Sequence, residues 1–527
     1  MQNHPYRNHT PYEPFDGFYD YNNLYEVFIM HDNQTMKKNL IMFPLGTVGR
    51  DMVYTLVTNY LLTFILFTKQ LTNGQLGAIT AIMVGARVFD ALNDPIMGDI
   101  IEHTHTKWGK FKPWLVIGIL TTSLVVWTVF NVSLTGWKFV VLFGFFYFFY
   151  SLTYTMHDIS YWGMIPALSS DADARNRFTA KATLFAGIGS TLAGIAIPML
   201  TTGQYALGGN AKTAYGIIAG IVCVLAPLFL SFTIFGVRER RDNFSSSENS
   251  FSLKAIFNTI KANDQLSWIA VIFLIQQIGN GLIIGGLGST YIYIEFGYNG
   301  GLYSLFTTIG MAATAFLMIF YPAISKIIHR KPLMKIMLYI SIAGYALMLG
   351  SGLILPAGHM AKYSCIVFGY MLSNFGQYCY YPIMMISIIN AVEYNEFKTG
   401  RRDEAIITSL RPFITKLSSA LTAVLTSGSY MIFGITQFTN RISEYESAAA
   451  AGTISETQKM GLISQVLANV QRFQASGLLI LMTVLPCFMM VISYLLYLKH
   501  YILDEDEYLR ICNILEERQW EESYEHN

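Results

Sequence analysis

Charge is what this sequence has least of. Only 13% of its 527 residues are Asp, Glu, Lys or Arg, about half the share usual in a soluble domain. Positive and negative residues nearly cancel, to a formal +1 at pH 7, so no basic surface for nucleic acid is expected. Cysteine is sparse and scattered. Cys223, Cys365, Cys379, Cys487 and Cys512 show no disulfide or metal spacing, and four of them fall in apolar stretches, where cysteine acts as a small hydrophobe. No nucleophile–base set or metal cluster is visible, which argues against an enzyme and against a resident cofactor. Residues 1–37 are polar and lack the basic start and short apolar core of a signal peptide. The first apolar helix is expected to act as the insertion signal. The weak ten-residue alternation of a transmembrane barrel is missing as well.

Long uncharged apolar runs are present instead. Residues 213–237, 303–325, 363–392 and 473–498 carry no charge at all, and each exceeds the roughly 20 residues that cross a bilayer as a helix. With 53% hydrophobic residues, the chain reads as an all-α polytopic membrane protein. Twelve spans are predicted, at 39–68, 75–101, 113–134, 138–167, 178–203, 213–236, 265–295, 302–327, 333–355, 362–393, 405–436 and 474–499. Lys and Arg concentrate in alternate loops, at Lys107, Lys110, Lys112, Arg175, Arg177, Arg238, Arg240, Arg241, Lys254, Lys261, Lys326, Arg330, Lys331, Lys335, Lys398, Arg401 and Arg402. The opposite short loops offer Lys69, Lys138, Lys212 and Lys362, and the long 437–473 loop adds Arg441, Lys459 and Arg472. Positive charge marks the cytoplasmic side, so both termini are expected inside and the 437–473 loop outside.

The serine-rich stretch "VRERRDNFSSSENSFSLK" has the polarity of a linker and divides the chain evenly. The expected organisation is a polar tail (1–37), a six-helix half (38–237), a linker (238–264), a second six-helix half (265–500) and an acidic tail (501–527). A faint repeat supports it: "DIIEHTHTKWGKFKPW" after span two and "SKIIHRKPLMK" after span eight each lead a basic loop into a proline and the next span. Two pseudo-symmetric halves of six helices, with a substrate site between them at the midplane, are the plan of the major facilitator fold.

A few charges nevertheless lie inside the spans, where each costs about 2.5 kcal/mol or more. Asp90, Asn93 and Asp94 of span two recur at i, i+3 and i+4, so they share one helix face. Pro95 follows, and a mid-helix proline frees the carbonyl of Ala91. Carboxylates, an amide and a free carbonyl are hard oxygen ligands for a hard cation; a proton on one carboxylate satisfies the same geometry. A plain structural pair between Arg87 and Asp90 or Asp94 is the competing reading. Span one holds Arg50 and Asp51. Span four spaces Tyr154, Asp158 and Trp162 four residues apart, with Thr155 beside them. A carboxylate takes sugar hydroxyls and an aromatic ring stacks on the apolar sugar face, although Trp162 alone reads as an interfacial residue and Tyr154 alone as packing. Lys416 lies mid-way along span eleven, too deep to reach water, and needs a carboxylate from span two or four.

Taken together, "RVFDALNDPIMGDIIEHTHTKWGKFKPW", "GTVGRD", "YTMHDISYWGMIP", "VEYNEFKTGRRDEA" and the lysine of span eleven resemble the signature of the glycoside–pentoside–hexuronide:cation symporters, the melibiose permease-like branch of the major facilitator fold. The resemblance runs from about residue 38 to 500. It implies a cation site at Asp90, Asn93, Asp94 and Thr155. It implies a sugar site at Asp51, Asp158 and Trp162 with Arg50 and Tyr154, and Lys416 near both. The sequence departs from the family at three places. Thr183 stands where an ungapped count puts the span-five arginine, with Lys181 two residues earlier. Tyr381 replaces a span-ten tryptophan, and Arg411 and Pro412 before Lys416 do not match.

The expected function is therefore secondary active symport of a glycoside, oligosaccharide or hexuronide. The coupling ion is Na+ or H+, with Li+ as a further candidate, and the only metal expected is Na+ at Asp90 and Asp94. The protein is expected to be monomeric in the plasma membrane. Basic loops 102–112 and 398–402 are expected to pair with acids such as Glu102, Asp403 or Glu404. A transport-deficient sensor of the same fold is the alternative, with the acidic tail docking a partner or standing as a solvated helix.

Overall fold

The computed structural model describes residues 21–169, 171–239 and 253–525. Much of the expected tail 1–37 and of the linker 238–264 lies outside these. All described regular structure is helical. Helix α1 (Tyr21–Thr55) passes through a π-helical turn, Leu56–Tyr60, into α2 (Leu61–Thr68). Then come α3 (Asn73–Glu102), α4 (Lys112–Asn131), α5 (Gly136–Gly163), the short α6 (Ile165–Leu168), α7 (Ala172–Thr201) and α8 (Ala211–Gly236). The second part holds α9 (Leu253–Ala262), α10 (Asp264–Leu282), a π turn Ile283–Leu287, α11 (Gly288–Phe296), α12 (Gly300–Ile327), α13 (Arg330–Ile354), α14 (Met360–Thr399) and α15 (Glu404–Ile432). It ends in α16 (Thr436–Ala450), α17 (Glu456–Ala468), α18 (Arg472–His500) and α19 (Glu505–Glu525).

Local chemistry places the helix ends. Thr72 and Gln75 form a reciprocal capping box that starts α3. Asn210 caps α8 by accepting from the Thr213 amide. Gly400, at φ 70°, ends α14 in the left-handed conformation a side chain resists. Within the second π turn Gly286 reaches φ 129°, so a break in this span depends on glycine.

Among the described residues, eight helices are long and apolar enough to cross a membrane, and nine when the pair Leu410–Ile432 and Thr436–Ala450, bent by 93°, counts as one. Helices α3, α12 and α14, of 30, 28 and 40 residues, have the length to make up the predicted twelve. The outer surface agrees: Val141, Phe235 and Ile319 are each more than 70% exposed, which suits contact with acyl chains and not with water. The molecule is a multi-pass helical membrane protein, as the expected plan requires.

Helices α1 to α8 pack chiefly on one another, as do α10 to α15 with α18. The two groups meet through α3 against α15, α7 against α12, and α16 against α2. Their described hydrogen bonds lie at mid-height or at the end remote from the termini. There Asn440 accepts from the Leu71 amide and donates to its carbonyl, each at 2.8 Å, and Thr436 donates to Asn73 at 2.9 Å. Gly300 abuts the Pro198 carbonyl so closely that a Cβ would sit 1.7 Å from it, which lets α12 touch α7.

The 437–473 loop is itself structured, as α16 and α17. Glu446 and Lys459 are both fully buried within it and lie 3.4 Å apart. Glu446 accepts from the Ala211 amide of the other group at 2.6 Å, and Lys459 donates to the Gly209 carbonyl at 2.7 Å. At the opposite end the acidic tail docks on its own group of helices, with Glu505 on Arg330 at 3.0 Å and Asp504 on Lys331 at 3.0 Å.

Candidate functional site

Helices α3 and α5 carry most of the expected residues, and α15 meets them from the other group. The Lys416 ammonium lies on the Asp94 carboxylate and 4.0 Å from Asp90. Thr155 donates to the other Asp94 oxygen at 3.0 Å. Arg87 pairs with Asp90 at 3.4 Å, one turn away on the same helix, so the structural pair weighed from the sequence is present beside the carboxylate cluster. Ser151 also donates to Asp90. Sequence reasoning passed over Ser151, yet it lies exactly one turn before Thr155 on the same stripe of α5. Asn93 is buried, but its amide nitrogen meets no partner among the described residues. The side chains of Ala91 and Pro95 lie outside the described residues.

Access differs between the two carboxylates. The Asp90 side chain is 4% exposed, whereas Asp94 and Lys416 are 30% and 25% exposed. Solvent therefore reaches Asp94 more readily than Asp90. Two carboxylates face one guanidinium and one ammonium, so the cluster is balanced as it stands. An added cation must displace the ammonium or compete with it.

The second cluster centres on Arg50, 2% exposed and held 3.2 Å from Asp51 and 3.0 Å from Asp158. Its guanidinium also lies over the rings of Tyr161, at 4.6 Å, and Trp162, at 5.3 Å, a cation–π arrangement that offsets part of its burial. Tyr161, absent from the expected set, is fixed by donating to the Phe43 carbonyl at 2.6 Å and by stacking on the Phe43 ring. Asp158 is 34% exposed, so solvent reaches this carboxylate while Arg50 is sealed. Tyr154 packs between Tyr54 and His157. Thr155 and Asp158 are three residues apart, about 4.5 Å along the helix axis, so α5 touches both clusters within one turn.

The loop pairings keep to one group of helices. Arg401 meets Asp403 at 3.2 Å, and Arg402 meets Glu393, Glu396 and Glu404, all between the end of α14 and the start of α15. Lys398 lies on Asp264. Glu102 has no described ion pair. A cavity of about 750 Å³ at the remote end, lined among others by Gln437, Arg441, Tyr445 and Gln474, includes none of the expected site residues.

Comparison with known proteins adds an independent measure. A family model described as "MFS/sugar transport protein" matches residues 42–505. The lactose permease of Leuconostoc lactis is 28% identical over 444 residues, which is 80% of this chain and 65% of that permease. The raffinose carrier protein of Pediococcus pentosaceus is 26% identical over 421 residues, 75% of this chain and 62% of the carrier. The chain thus spans just under two thirds of the length of these curated relatives. A bacterial homologue of the human lysosomal transporter Spinster, solved inward-facing and unoccupied, superposes with a TM-score of 0.57 over 89% of this chain and 98% of its own, at 11% identity. That is a likeness of fold alone.

Proposed function

The chain belongs to the MFS/sugar transport protein family, and we propose that it is a secondary active transporter, carrying a glycoside, oligosaccharide or hexuronide together with a monovalent cation by alternating access. It is a transporter and not an enzyme. Na+ or H+, with Li+ as a further candidate, enters at Asp94, beside Asp90, Asn93 and the hydroxyl of Thr155. The sugar binds at Asp51, Asp158, Tyr154 and Trp162, with Arg50 holding the two carboxylates in place.

The observation that carries this reading is the Lys416–Asp94 pair, which joins the two groups of helices beside Asp90. A cation on Asp94 frees the Lys416 ammonium and so changes a contact between the halves. Because α5 carries both Thr155 and Asp158, ordering it at one cluster orders it at the other. The sugar must then tighten cation binding by the factor that the cation tightens sugar binding. With the termini on the cytoplasmic face of the plasma membrane, the bonds of Asn440, Glu446 and Lys459 close the outer end. The structure then corresponds to the inward-open stage, and the monomer is the working unit.

The test is uptake by the purified chain in proteoliposomes, across a panel of glycosides and under Na+, Li+ and pH gradients. Accumulation of one glycoside driven by one of these gradients is expected. Sugar binding indifferent to all three ions would overturn the reading, and binding without flux would make the protein a sensor.

A further inference from the structure

Arg411 is a guanidinium within the expected spans that the two clusters leave unused. It lies on α15 five residues before Lys416, about 7.5 Å along the axis. Its side chain is exposed, and its Nε donates to the Tyr381 hydroxyl of α14 at 3.1 Å. The guanidinium also lies 5.8 Å from the centre of that ring. Tyr381 in turn packs on Phe273 of α10, so Arg411 is drawn in among α10, α14 and α15. Arg50, Arg87 and Lys416 each rest on a carboxylate. Among the described residues no carboxylate lies within ion-pair distance of Arg411. An exposed cation at this depth is costly unless water or a ligand meets it.

Within the expected spans of the opposite half, the guanidiniums among the described residues, Arg50 and Arg87, are both paired with carboxylates. Lys181 stands three residues before Leu184 and seven before Ile188 on α7, and those two are 62% and 44% exposed, so Lys181 belongs to the outward face of that helix. The inward face is marked by Ala182, whose carbonyl accepts from Thr47 at 3.1 Å, and by Gly189 against Val48. Thr183 offers one hydroxyl. Within its expected spans the N-terminal half therefore supplies carboxylate acceptors, at Asp51 and Asp158, and, among the described residues, no guanidinium free of a carboxylate.

We propose that Arg411, steadied by Tyr381, is a substrate-binding residue that supplies this donor from the C-terminal half. It takes a pair of adjacent acceptor oxygens on the sugar, either vicinal hydroxyls or the carboxylate of a uronide, while Asp158 takes hydroxyls from the other side. A guanidinium fork matches two such oxygens where a lysine offers a point charge. Binding then spans both halves, so an occupied site draws them together. The inference rests on the sugar-transport reading above.

Counterflow of lactose and of methyl β-D-glucuronide into proteoliposomes tests it, with the wild-type full chain, Arg411→Gln, Arg411→Lys and Tyr381→Phe. For whichever probe the wild type carries, Arg411→Gln is expected to raise the half-saturating concentration at least tenfold. Cation stimulation should persist and maximal flux should change less than threefold. Arg411→Lys should fall between wild type and Arg411→Gln, and Tyr381→Phe should weaken binding about threefold. The neutral probe identifies hydroxyls as the recognised pair, and the glucuronide identifies a carboxylate. Wild-type half-saturation in both Arg411 variants overturns the inference and leaves the transport reading standing. Should Arg411→Gln fail to fold, unaltered half-saturation in Arg411→Lys alone overturns it. A wild-type protein that carries neither probe, nor any glycoside of the wider panel, overturns both.

Discussion

The Lys416 ammonium of α15 lies on the Asp94 carboxylate of α3, so this lysine joins the two groups of helices where a coupling cation is expected to bind. Lysine and cation then compete for one carboxylate. Lys416→Gln should bind the coupling ion more tightly in the absence of sugar, by about tenfold for a lost competitor worth ~1.4 kcal/mol, while sugar affinity should lose its dependence on the ion. Asp94→Cys should abolish gradient-driven accumulation. Isothermal titration with Na+ and Li+, together with uptake by the cysteine variant, measures both effects; accumulation at wild-type level in Asp94→Cys would remove Asp94 from coupling.

Ser151 separates a sodium site from a proton site. Its hydroxyl contacts Asp90 inside the cluster, and a hydroxyl oxygen can ligate Na+ but is not needed to protonate a carboxylate. A hydrogen bond to a charged group is worth about 1.5–3 kcal/mol. If the carrier uses Na+, Ser151→Ala should raise the half-activating Na+ concentration by about tenfold or more. If it uses H+, the pH profile of uptake should move instead and Na+ dependence should stay absent. An unaltered ion response of both kinds would remove Ser151 from the site.

Arg50 is sealed between Asp51 and Asp158, and its loss leaves two acids without their ion-pair partner. Removing one partner of a buried pair costs about 3–5 kcal/mol, and the partial exposure of Asp158 places Arg50→Ala at the lower end. Thermal unfolding in detergent should show a clear drop. Arg50→Ala combined with Asp158→Asn should recover part of it, because one stranded charge is gone. An unshifted transition in Arg50→Ala would show that water, and not the guanidinium, stabilises these acids.

The motif around Asp90 and Asp94 was readable because charge is so rare in an apolar helix that its spacing alone marks a face. The span-four stripe was readable for the same reason. Ser151 and Tyr161 were not, because serine and tyrosine are unremarkable inside an apolar span and only three-dimensional neighbours distinguish them. Glu446 and Lys459 were hidden in a loop whose polarity suggested solvent. Each needs a partner 13 residues away and a backbone group more than 230 residues away, a separation no local pattern encodes. The acidic tail read as a solvated helix or a partner's docking site, but its first two acids find their cations at the start of α13.

That tail contact has a pH dependence of definite sign. Burial raises both the Asp504 and Glu505 carboxyls. Bonds from Lys331 and the Glu507 amide on Asp504, and from Arg330 on Glu505, outweigh it and hold both below the ordinary carboxylate range. Groups with a depressed folded pKa stabilise docking above the unfolded value, near pH 4, and lose that contribution as pH falls through the folded value. Limited proteolysis of residues 505–525 should be slow at pH 7 and accelerate below about pH 4. In Arg330→Gln it should be fast at pH 7 already. Cleavage that does not change with pH in the wild type would detach these pairs from docking.

The remote end offers the last prediction. Glu446 and Lys459 are carried by α16 and α17, yet both bond to backbone groups at the start of α8 in the other half. Lys459→Met leaves a buried carboxylate without its cation, at a cost of about 3–5 kcal/mol, and that cost is relieved if the end opens and water reaches Glu446. Closure should therefore weaken. Ser427 is the reporter, because it is 1% exposed and bonds across the halves to Thr80 at 2.8 Å. In a background without other cysteines, Ser427→Cys should react slowly with a membrane-impermeant maleimide in the otherwise wild-type chain and at least tenfold faster with Lys459→Met. Replacing both partners, as Glu446→Gln with Lys459→Met, removes the stranded charge and should bring labelling back toward the slow rate. Equal labelling in all three proteins would mean that the pair steadies the α16–α17 hairpin alone and takes no part in holding the halves together.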